Sequence, residues 1–329
     1  MKTIVFEEYG PPEVVKAIKT EKPVPADNEV LIKVHATTVT SGDVRVRSST
    51  YPKGLWLLGR LVIGLTKPRE TGLGNELAGV VEAVGKEVKR FRVGDEVFGA
   101  TGLNLGANAE YISLPEDGAI ALKPANLSFE EAAAIPFGAL TSLVFLRDKG
   151  QIRSGQKVLV YGASGGLGVY AVQLARYFGA EVTGVSSTKN LELVKSLGAH
   201  KVIDYTKEDF TQSGEVYDII FDTVGKTSFS RASKTMAPKG VFLAAVAGIP
   251  EFFQMLWTSM SSGKKVIGGV AIQRKEDTEL LRELLEAGRL RPVVDRRYPL
   301  GQIVEAHRYV ETGRKKGAVV LTVDHDTAA

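Results

Sequence analysis

KVLVYGASGGLGVYAVQLARYFGAEVTGVSS, residues 157–187, carries the strongest structural signal in the chain. Its residues 158–161 are apolar and rich in β-branched side chains, which is typical of a strand buried on both faces. After a glycine-rich turn, apolar residues recur with the period of a helix as far as Phe178, and Gly179 ends that helix. Residues 181–185 then predict a second strand. The segment is therefore one strand–helix–strand unit with glycines at its first junction.

The glycine-rich turn has the form AxGxxG, because alanine replaces the first glycine of GxGxxG. Small residues at these positions let the backbone approach a pyrophosphate and let the helix pack closely on the strand. The N-terminus of the helix adds free N–H groups and the positive end of the helix dipole. A tight turn without a ligand is the alternative, but the position of the motif between strand and helix favours dinucleotide binding. The residues expected to bind the dinucleotide here are Ala163, Ser164, Gly165, Gly166, Leu167 and Gly168.

The end of the second strand indicates which dinucleotide is bound. A site for NAD needs Asp or Glu about 20 residues after the glycines, to accept a hydrogen bond from the ribose 2′-hydroxyl. This chain has SSTKN at residues 186–190, with hydroxyls and a lysine but no carboxylate. Donors and positive charge suit a 2′-phosphate, so Ser186, Lys189 and Tyr205 predict NADPH rather than NADH. An ordinary solvated turn with an exposed lysine is the alternative.

Composition excludes several classes of protein. The chain has 329 residues, of which 44% are hydrophobic and 24% charged, with a net charge of +4 and no cysteine. Without cysteine, disulfides, thiol nucleophiles and cysteine zinc sites are excluded. Basic and acidic residues are mixed, so no nucleic-acid partner is expected. The N-terminus does not resemble a signal peptide and the longest apolar run is too short to span a bilayer. We therefore expect a cytoplasmic enzyme without stable membrane insertion.

The rest of the pattern divides the chain into a β-rich part and an alternating part. Residues 1–124 show alternating strand patterns and glycines at turn positions, which suggests a strongly bent, barrel-like sheet. A capped helix begins at Ser128, and strands and helices then alternate as in a doubly wound sheet. Strands are expected at 158–161, 181–186, 201–204, 217–222, 240–246 and 265–271, with helices between the first five. The tail is expected to return to the first part with a helix at 277–287, a strand at 292–297, a helix from residue 300 and a strand at 318–323.

Four motifs together resemble the medium-chain dehydrogenase/reductase superfamily, and most closely its zinc-free quinone oxidoreductase branch. They are VxxVGxxVxxFxxGDxVFG at 81–99, GxExxG at 74–79, the glycine-rich turn, and LGA followed by VIDY at 197–205. The resemblance covers nearly the whole chain and implies an α/β fold with two domains. A GroES-like β-barrel catalytic domain would comprise residues 1–124 and 272–329, and a doubly wound Rossmann domain residues 125–271. It also implies an active site in the cleft between these domains and a homodimer.

The resemblance also makes the zinc positions informative. Family alcohol dehydrogenases hold a catalytic zinc with ligands at positions that here read Thr40, Asn75 and Ala139. These residues are no competent zinc ligand set, since zinc prefers thiolate and imidazole. Without a Lewis acid, little would polarise a simple alcohol for oxidation. The expected reaction is therefore hydride transfer to an acceptor that is already electron-poor, either a quinone or an enone or enal.

The resemblance places the expected catalytic residues near the same loop. Zinc-free reductases of the superfamily carry Asn and Tyr at positions that here are Thr40 and Tyr51, and the Tyr is their proposed proton donor. Thr40 and Tyr51 would border the acceptor, and Thr141 would contact the nicotinamide half of the cofactor. A half-buried loop aromatic is the alternative for Tyr51. Two other functions stay open: a 2-enoyl-thioester reductase with the same mechanism, and a non-enzymatic NADPH-binding protein.

Four further expectations concern individual segments. The apolar residues 54–65 predict a lid over the acceptor in preference to a membrane-facing patch. The aromatic residues 249–262 predict a pocket wall or a subunit contact. Asp43 is expected to form a salt bridge with Arg45 or Arg47, and the alternative is that it orients a loop or the cofactor ribose. Residues 265–271 are expected to be the edge strand of the doubly wound sheet, and such an edge invites pairing with a second copy.

Overall fold

A computed structural model describes residues 1–102, 104–261 and 263–325 of the chain. Contacts between residues divide the chain into two compact units. The first unit consists of Met1–Tyr51, Trp56–Leu140 and Gln273–Ala329, and the second of Pro52–Leu55 and Thr141–Ile272. The two units are described one at a time.

The secondary structure follows in chain order. The strands are β1 Lys2–Phe6, β2 Val15–Lys19, β3 Glu29–Val39, β4 Glu76–Val84, β5 Glu96–Ala100, β6 Tyr111–Pro115, β7 Ile120–Leu122, β8 Lys157–Tyr161, β9 Glu181–Ser186, β10 Lys201–Asp204, β11 Tyr217–Asp222, β12 Met236–Ala244, β13 Lys265–Ile267, β14 Val294–Pro299 and β15 Ala318–Thr322. The helices are α1 Ser41–Ser48, α2 Trp56–Ile63, α3 Phe129–Ala133, α4 Pro136–Leu143, α5 Gly168–Tyr177, α6 Leu191–Ser196, α7 Phe229–Ala232, α8 Ile249–Ser259, α9 Lys275–Glu286 and α10 Ile303–Glu311. A π-helical run, Val144–Lys149, continues from α4.

The second unit is built on one parallel sheet. Its strand order is β10-β9-β8-β11-β12-β13, and every pair is parallel. This is the doubly wound order, in which strands are added first on one side of β8 and then on the other, so that the first and fourth strands, β8 and β11, become neighbours. Val158, Leu159 and Val160 of β8 are fully buried at the centre of the sheet, as their apolar run predicts. The predicted Rossmann-type fold is therefore confirmed.

Two details of this sheet differ from the prediction. Only a single 3₁₀ turn, Phe210–Gln212, lies between β10 and β11, where a helix was expected. This polar connection has one large apolar side chain to bury, that of Phe210, which is 1% exposed. The last strand also ends at Ile267 rather than at residue 271. Two glycines follow it, and Gly269 has φ +97°, a backbone conformation outside the range of β-strands.

The first unit is built on a mixed sheet around one long strand, with β14 and β15 parallel and the other pairs antiparallel. The order is β14-β15-β3-β4-β5-β7, and β6 pairs with β3 as well. Strand β3 has 11 residues, and its pairing with β4 shifts register twice, which bends the sheet. The tail adds α9, α10, β14 and β15 to this unit, and β15 pairs antiparallel with β3. The GroES-like fold expected for this part is confirmed.

Residues 125–140 group with the first unit by contacts, whereas the sequence assigned them to the second. The predicted domain limits stay a prediction, because grouping by contacts does not show which segments fold independently. The helix start at Ser128 is as predicted. The Ser128 hydroxyl accepts from the Glu131 amide at 3.2 Å, and the Glu131 carboxylate accepts from the Ser128 amide at 3.0 Å. This reciprocal pair is a capping box.

One helical run among the described residues, Phe129–Lys149, is long and apolar enough to cross a membrane. However, 72% of its most apolar window is buried within the structure. Such burial is the usual condition of a core helix in a soluble protein, so its length and composition are weak indications of a membrane span.

The two apolar segments singled out in the sequence are both helices with exposed apolar side chains. In α2, Trp56 is 53% exposed and Val62 64%. In α8, Phe253 is 69% exposed and Trp257 67%. These segments therefore present apolar surface within their own units, and their functions as a lid, pocket wall or subunit contact stay predictions.

Candidate active site

The glycine-rich turn begins at the carboxyl end of β8. Gly162 has φ +83°, and a Cβ at this position would lie 2.8 Å from Thr223 Oγ1 and 2.7 Å from Val224 Cγ1. Thr223 follows β11, and its hydroxyl donates to the Tyr161 carbonyl at 2.8 Å. The turn after β8 is thus packed against the end of β11. Ligands of doubly wound sheets bind at such a crevice between the first and fourth strands.

Ala163 occupies the first position of the motif because the neighbouring strand makes room for it. The side chain of Ala163 is fully buried. A Cβ at Gly184 of β9 would lie 3.1 Å from the Ala163 Cβ and would also overlap Val194. The turn has alanine where the motif has its first glycine, and Gly184 in the adjacent strand leaves the space that the Ala163 methyl group occupies. The sequence contains both residues, but their proximity follows only from the pairing of β8 with β9.

The other two glycines have different environments. A Cβ at Gly168 would overlap the carbonyl oxygen of Gly162, so this glycine is required for close packing of α5 on the turn. A Cβ at Gly165 would lie 3.3 Å from the same oxygen, a contact that a small shift could relieve. Leu167 is the N-cap of α5 and makes no side-chain capping bond. No side chain therefore caps the N-terminus of α5, although the Val169 amide donates to the Gly165 carbonyl and the Tyr170 amide to the Leu167 carbonyl, both at 3.1 Å.

Hydroxyl groups join this turn to the end of β9. The Oγ atoms of Ser164 and Ser186 lie 2.8 Å apart. The Asn190 side-chain amide donates to Ser164 Oγ at 3.1 Å and to Ser187 Oγ at 3.3 Å. Ser164 and Ser186 are buried, at 8% and 2% exposure. The structure therefore brings two of the predicted cofactor residues together, and Asn190 is a member of the cluster that sequence reasoning missed.

Lys189 and Tyr205 flank this cluster with exposed side chains. Lys189 lies in the 3₁₀ turn Thr188–Asn190 that follows β9. Tyr205 is 55% exposed, and its backbone amide donates to the Ser186 carbonyl at 3.1 Å. A cationic and a phenolic donor therefore stand next to the buried serines. Their binding of a 2′-phosphate stays a prediction.

A carboxylate that the sequence analysis did not consider lies beside the same turn. Asp204 ends β10 in register with Ser186. It accepts hydrogen bonds from the hydroxyls of Thr188 and Thr206, and the first of these, more than any other interaction, lowers its pKa. Its Oδ2 is thereby committed to the turn that carries Lys189, and its Oδ1 to Thr206 after β10. The sequence separation hid this neighbour, because strand pairing alone places Asp204 next to residue 188.

Helix α4 contacts the glycine-rich turn through a residue adjacent to Thr141. The Ser142 hydroxyl donates to the Leu167 carbonyl at 3.0 Å, and Ser142 is fully buried. Thr141 is half-buried and precedes it directly. The expected nicotinamide contact of Thr141 stays a prediction, and Ser142 is the residue that fixes this helix to the turn.

In the first unit, Thr40 is the N-cap of α1 and pairs with Asp43. The Thr40 hydroxyl donates to Asp43 Oδ2 at 2.6 Å and accepts from the amides of Gly42 and Asp43. Asp43 Oδ1 also accepts from the Gly74 amide at 2.9 Å. Burial is the main influence on the pKa of Asp43 and raises it. The expected role of Thr40 at the acceptor stays a prediction, and its hydroxyl is fully used in the cap.

The expected salt bridge of Asp43 with Arg45 or Arg47 is wrong. Asp43 bonds instead to Thr40 and Gly74, as a carboxylate at a helix N-terminus does. Arg47 lies one turn further along α1 and binds the Gly10 carbonyl and the Glu311 carboxylate instead. Residues four apart lie on the same side of a helix, so it is these other partners that keep the two side chains from pairing.

The structure also shows why the positions of the family zinc ligands do not fit a metal here. The Thr40 hydroxyl is used in its cap, and the Asn75 amide nitrogen donates to the Gly102 carbonyl at 2.6 Å. Ala139 is fully buried and has no donor atom. In residues 1–102, 104–261 and 263–325, no group of three His, Asp or Glu side chains could hold a metal ion. Thr40, Asn75 and Ala139 therefore do not form a zinc site.

Tyr51 lies at the end of the loop that follows α1, and its hydroxyl is buried without a hydrogen-bond partner in the described part of the chain. Burial raises the pKa of Tyr51, and the neighbouring Tyr9 adds to this effect. Ser49 and Arg60 act in the opposite direction and lower the pKa. A buried phenol with no partner of its own is able to donate a proton to a bound group.

Glu76 is a second ionisable residue of this unit that sequence reasoning used only as part of a motif. Its carboxylate is 3% exposed and accepts from the Thr38 hydroxyl and from the Phe137 amide. Burial is the main cause that raises the pKa of Glu76, to about 7. Glu76 in β4 therefore bonds to both β3 and the start of α4. Its carboxyl group also titrates near neutral pH.

Comparisons with known proteins agree with this fold. Residues 26–124 match the family described as "Alcohol dehydrogenase GroES-like domain", and residues 197–321 match "Zinc-binding dehydrogenase". A 2-methylene-furan-3-one reductase of Solanum lycopersicum is 35% identical over 98% of this chain and 79% of its own length. A quinone oxidoreductase of Pseudomonas aeruginosa is 32% identical over 97% and 99%. An NADPH-dependent alkenal/one oxidoreductase of Arabidopsis thaliana is 31% identical over 98% and 79%.

Solved structures give the same result. The quinone oxidoreductase of Coxiella burnetii superposes with a TM-score of 0.87 at 29% identity, over 98% of this chain and 99% of that one. The quinone oxidoreductase of Escherichia coli complexed with NADPH gives 0.82 at 27% identity, over 98% and 100%. The chain therefore belongs to the medium-chain dehydrogenase/reductase superfamily, among its quinone oxidoreductases and enone reductases. It is an oxidoreductase that uses a nicotinamide cofactor.

Proposed function

We propose that the protein is an NADPH-dependent, metal-independent reductase that transfers hydride to a quinone or to an α,β-unsaturated carbonyl. One observation carries the choice of acceptor. The three positions that hold zinc in related alcohol dehydrogenases offer no metal ligand set, while Tyr51 presents a buried hydroxyl without a partner among the described residues. An electron-poor acceptor needs a proton donor of this kind and no Lewis acid.

The residues of the second unit fit NADPH. The N-terminus of α5, which no side chain caps, and the glycines before it suit the pyrophosphate. Ser186, Lys189 and Tyr205 suit the 2′-phosphate with hydroxyl and cationic donors. Asp204, the carboxylate that bonds to this turn through Thr188, is already occupied by threonine hydroxyls, so it is a poor acceptor for a free ribose. The relatives named for NADPH support the same choice.

Bound NADPH would supply the hydride. The chain's contribution is to orient the nicotinamide half, for which Thr141 beside Ser142 is the proposed contact, and to protonate the reduced acceptor. Tyr51 would donate its hydroxyl proton and take another from water. For an enone the proton is delivered to the enolate, and for a quinone to the hydroquinone oxygen.

Two properties of the whole protein belong to the same proposal. Strand β13 is one edge of the parallel sheet, since within the described residues it pairs with β12 alone. A strand edge of this kind suits pairing with a second copy, so we propose a homodimer. We also propose a cytoplasmic location, which agrees with a cofactor and acceptors that are small molecules.

The test is NADPH oxidation with a panel of acceptors, namely a benzoquinone, an enone, an enal, a 2-enoyl thioester and a saturated ketone. We expect turnover with the quinone or the conjugated carbonyls, none with the ketone, and no loss of rate after treatment with a chelator. Turnover of the thioester alone would favour the 2-enoyl-thioester reductase. Turnover of the ketone that disappears with the chelator, or no turnover with any acceptor, would contradict the proposal.

A further inference from the structure

Several buried polar atoms without partners lie around helix α2 in the first unit. They are Nε and Nη1 of Arg60, the hydroxyl of Tyr51 and Oγ of Ser49. Within residues 1–102, 104–261 and 263–325, none of these atoms has a hydrogen-bond partner. Buried polar groups almost always have one, and buried charges in particular are paired. The two N–H groups of Arg60 can only donate, so they point to an oxygen that the described part of the chain does not supply.

The Arg60 side chain is held by aromatic rings rather than by a carboxylate. Its guanidinium carbon lies 3.8 Å from the centroid of the Tyr9 ring and 5.4 Å from that of Trp56. Tyr9 is itself fixed, because its hydroxyl donates to the Gly64 carbonyl at 2.8 Å. Stacking uses the face of the guanidinium and leaves its N–H groups available at the edge. The charge is therefore positioned before any ligand arrives.

Tyr51 is held against the same helix. A Cβ at Gly59 would lie 2.7 Å from two carbons of the Tyr51 ring, so the ring packs directly on the helix backbone and only glycine leaves room for it. The groups that influence the Tyr51 hydroxyl are Tyr9, Ser49 and Arg60, and among them only Arg60 carries a positive charge. The Arg60 charge favours the ionised form of Tyr51, which is the form that remains after proton donation.

We propose that Arg60 is a catalytic residue that binds the carbonyl oxygen of the acceptor beside Tyr51. When hydride forms a C–H bond at the β-carbon of an enone, the electrons of the C=C bond move toward the carbonyl and give an enolate. Tyr51 transfers its proton to the enolate and becomes a phenolate, which then takes a proton from water. Arg60 stabilises first the enolate oxygen and then the phenolate. The inference rests on the proposed function and names the residue that would bind the conjugated carbonyl oxygen of its acceptors.

The experiment compares Arg60→Met, which removes the charge but keeps a long side chain, with Arg69→Met, which removes an exposed arginine beyond the end of α2. With an enone at saturation, Arg60→Met should lower kcat about 10²-fold, and Arg69→Met should leave it unchanged. Added guanidinium ion should restore part of the activity of Arg60→Met. The double variant Tyr51→Phe, Arg60→Met should be little slower than Tyr51→Phe alone, because both residues act on one proton transfer.

Direct titration of Tyr51 gives a readout other than activity. The difference between the ultraviolet spectra of two proteins that differ only by Tyr51→Phe reports the ionisation of the Tyr51 phenol. The pKa of Tyr51 measured in this way should be higher when the pair also carries Arg60→Met than when it carries Arg60. If Arg60→Met does not fold, Arg60→Lys replaces it and should keep at least a tenth of wild-type kcat. Wild-type turnover with no difference between Arg60→Met and Arg69→Met would overturn the inference alone. Absence of wild-type turnover with every acceptor would overturn the proposed function.

Discussion

The Oγ atoms of Ser164 and Ser186 lie 2.8 Å apart, and this pair joins the glycine-rich turn after β8 to the end of β9. The first serine belongs to the turn that would hold the pyrophosphate, and the second begins the turn that would hold the 2′-phosphate. Asn190 bonds to Ser164 and so closes the second turn back on the first. The two regions proposed to bind phosphate are therefore one hydrogen-bonded unit, and Lys189 extends from it into solvent.

Lys189→Ala should weaken NADPH binding about 10- to 100-fold, because one charge-assisted hydrogen bond to the 2′-phosphate is lost. NADH has no such phosphate and should bind as before. The measurement is kcat/KM for both cofactors with one fixed acceptor. Ser186→Asp should go further and reverse the preference, since a carboxylate repels the phosphate and accepts from a free ribose hydroxyl.

Lys195→Ala is the matched control for the lysine. Lys195 lies on the following helix, α6, is also exposed, and forms an ion pair with Glu192 at 3.3 Å. The Lys195→Ala variant should therefore have the same kcat/KM as wild type for both NADPH and NADH. A wild-type preference for NADH, or equal weakening of both cofactors by Lys189→Ala, would show that this turn does not recognise the phosphate.

The two glycines at the start of α5 should respond differently to alanine. Gly168→Ala forces a Cβ into the Gly162 carbonyl, so we expect a loss of about 1–3 kcal/mol in the free energy of unfolding as well as a loss of cofactor binding. Gly165→Ala meets the same oxygen at 3.3 Å and should fold with little loss. It should nevertheless bind NADPH at least about tenfold more weakly, since its methyl group occupies the approach of the pyrophosphate.

Gly301→Ala is the control for both glycine variants, because no atom lies within 4 Å of a Cβ built there. Denaturant unfolding and a fluorescence titration with NADPH separate the two effects. Equal losses of stability in Gly165→Ala and Gly168→Ala would contradict the distinction between a packing glycine and a binding glycine.

Tyr51→Phe should lower kcat for an enone about 10²-fold, the usual contribution of one acid–base group. The loss should be smaller for a quinone, whose reduced form takes protons readily from water. The variant removes one hydroxyl that has no partner among the described residues, so thermal unfolding should change little. Equal and negligible effects on both acceptors would mean that Tyr51 only packs against Gly59.

The glycine-rich turn and the strand pattern sufficed to predict the parallel sheet, because buried strands and amphipathic helices leave strong periodic signals. The connection before β11 was the exception. Its sequence is polar, and one buried side chain, that of Phe210, anchors it without a helix. Periodicity cannot distinguish such an anchored loop from a short helix.

The candidate site was predictable only where its residues are close in sequence. Ser186 and Lys189 belong to one turn and were recognised together. Asp204 was missed because it reaches that turn through the pairing of β10 with β9, and Arg60 because it reaches Tyr51 by folding of α2 over the preceding loop. Contacts of this kind depend on strand register and helix packing, which single-residue patterns do not encode.

His307 makes the stability of the first unit dependent on pH. Its ring is fully buried in α10, and neither ring nitrogen has a hydrogen-bond partner among the described residues. Burial, with a smaller contribution from the positive charge of Arg47, lowers its pKa from 6.5 to about 3. The native protein therefore keeps this imidazole neutral, while the unfolded chain takes up a proton as the pH falls below 6.5. The stabilisation is fully present above pH 6.5 and is lost progressively between 6.5 and 3.

Glu76 has the opposite dependence, because its native pKa of about 7 lies above the ordinary value of 4.5. The unfolded chain releases that proton first, so the contribution of Glu76 is fully present below pH 4.5 and is lost as the pH rises from 4.5 to 7. The two residues oppose each other between pH 4.5 and 6.5, and only His307 acts below that range. Because the two contributions change in opposite directions with pH, the variant of each residue is the control for the variant of the other.

Urea unfolding of wild type, His307→Leu and Glu76→Gln from pH 3.5 to 8 tests both contributions. The advantage of wild type over His307→Leu should shrink as the pH falls below 6.5, by at most about 1.4 kcal/mol per pH unit. Its advantage over Glu76→Gln should shrink in the other direction, as the pH rises from 4.5 to 7. Differences between variants are the informative quantity, because the other ionisable groups affect all three proteins alike. Curves for wild type and His307→Leu that stay parallel below pH 6.5 would mean that His307 takes up its proton in the native protein as readily as in the unfolded chain.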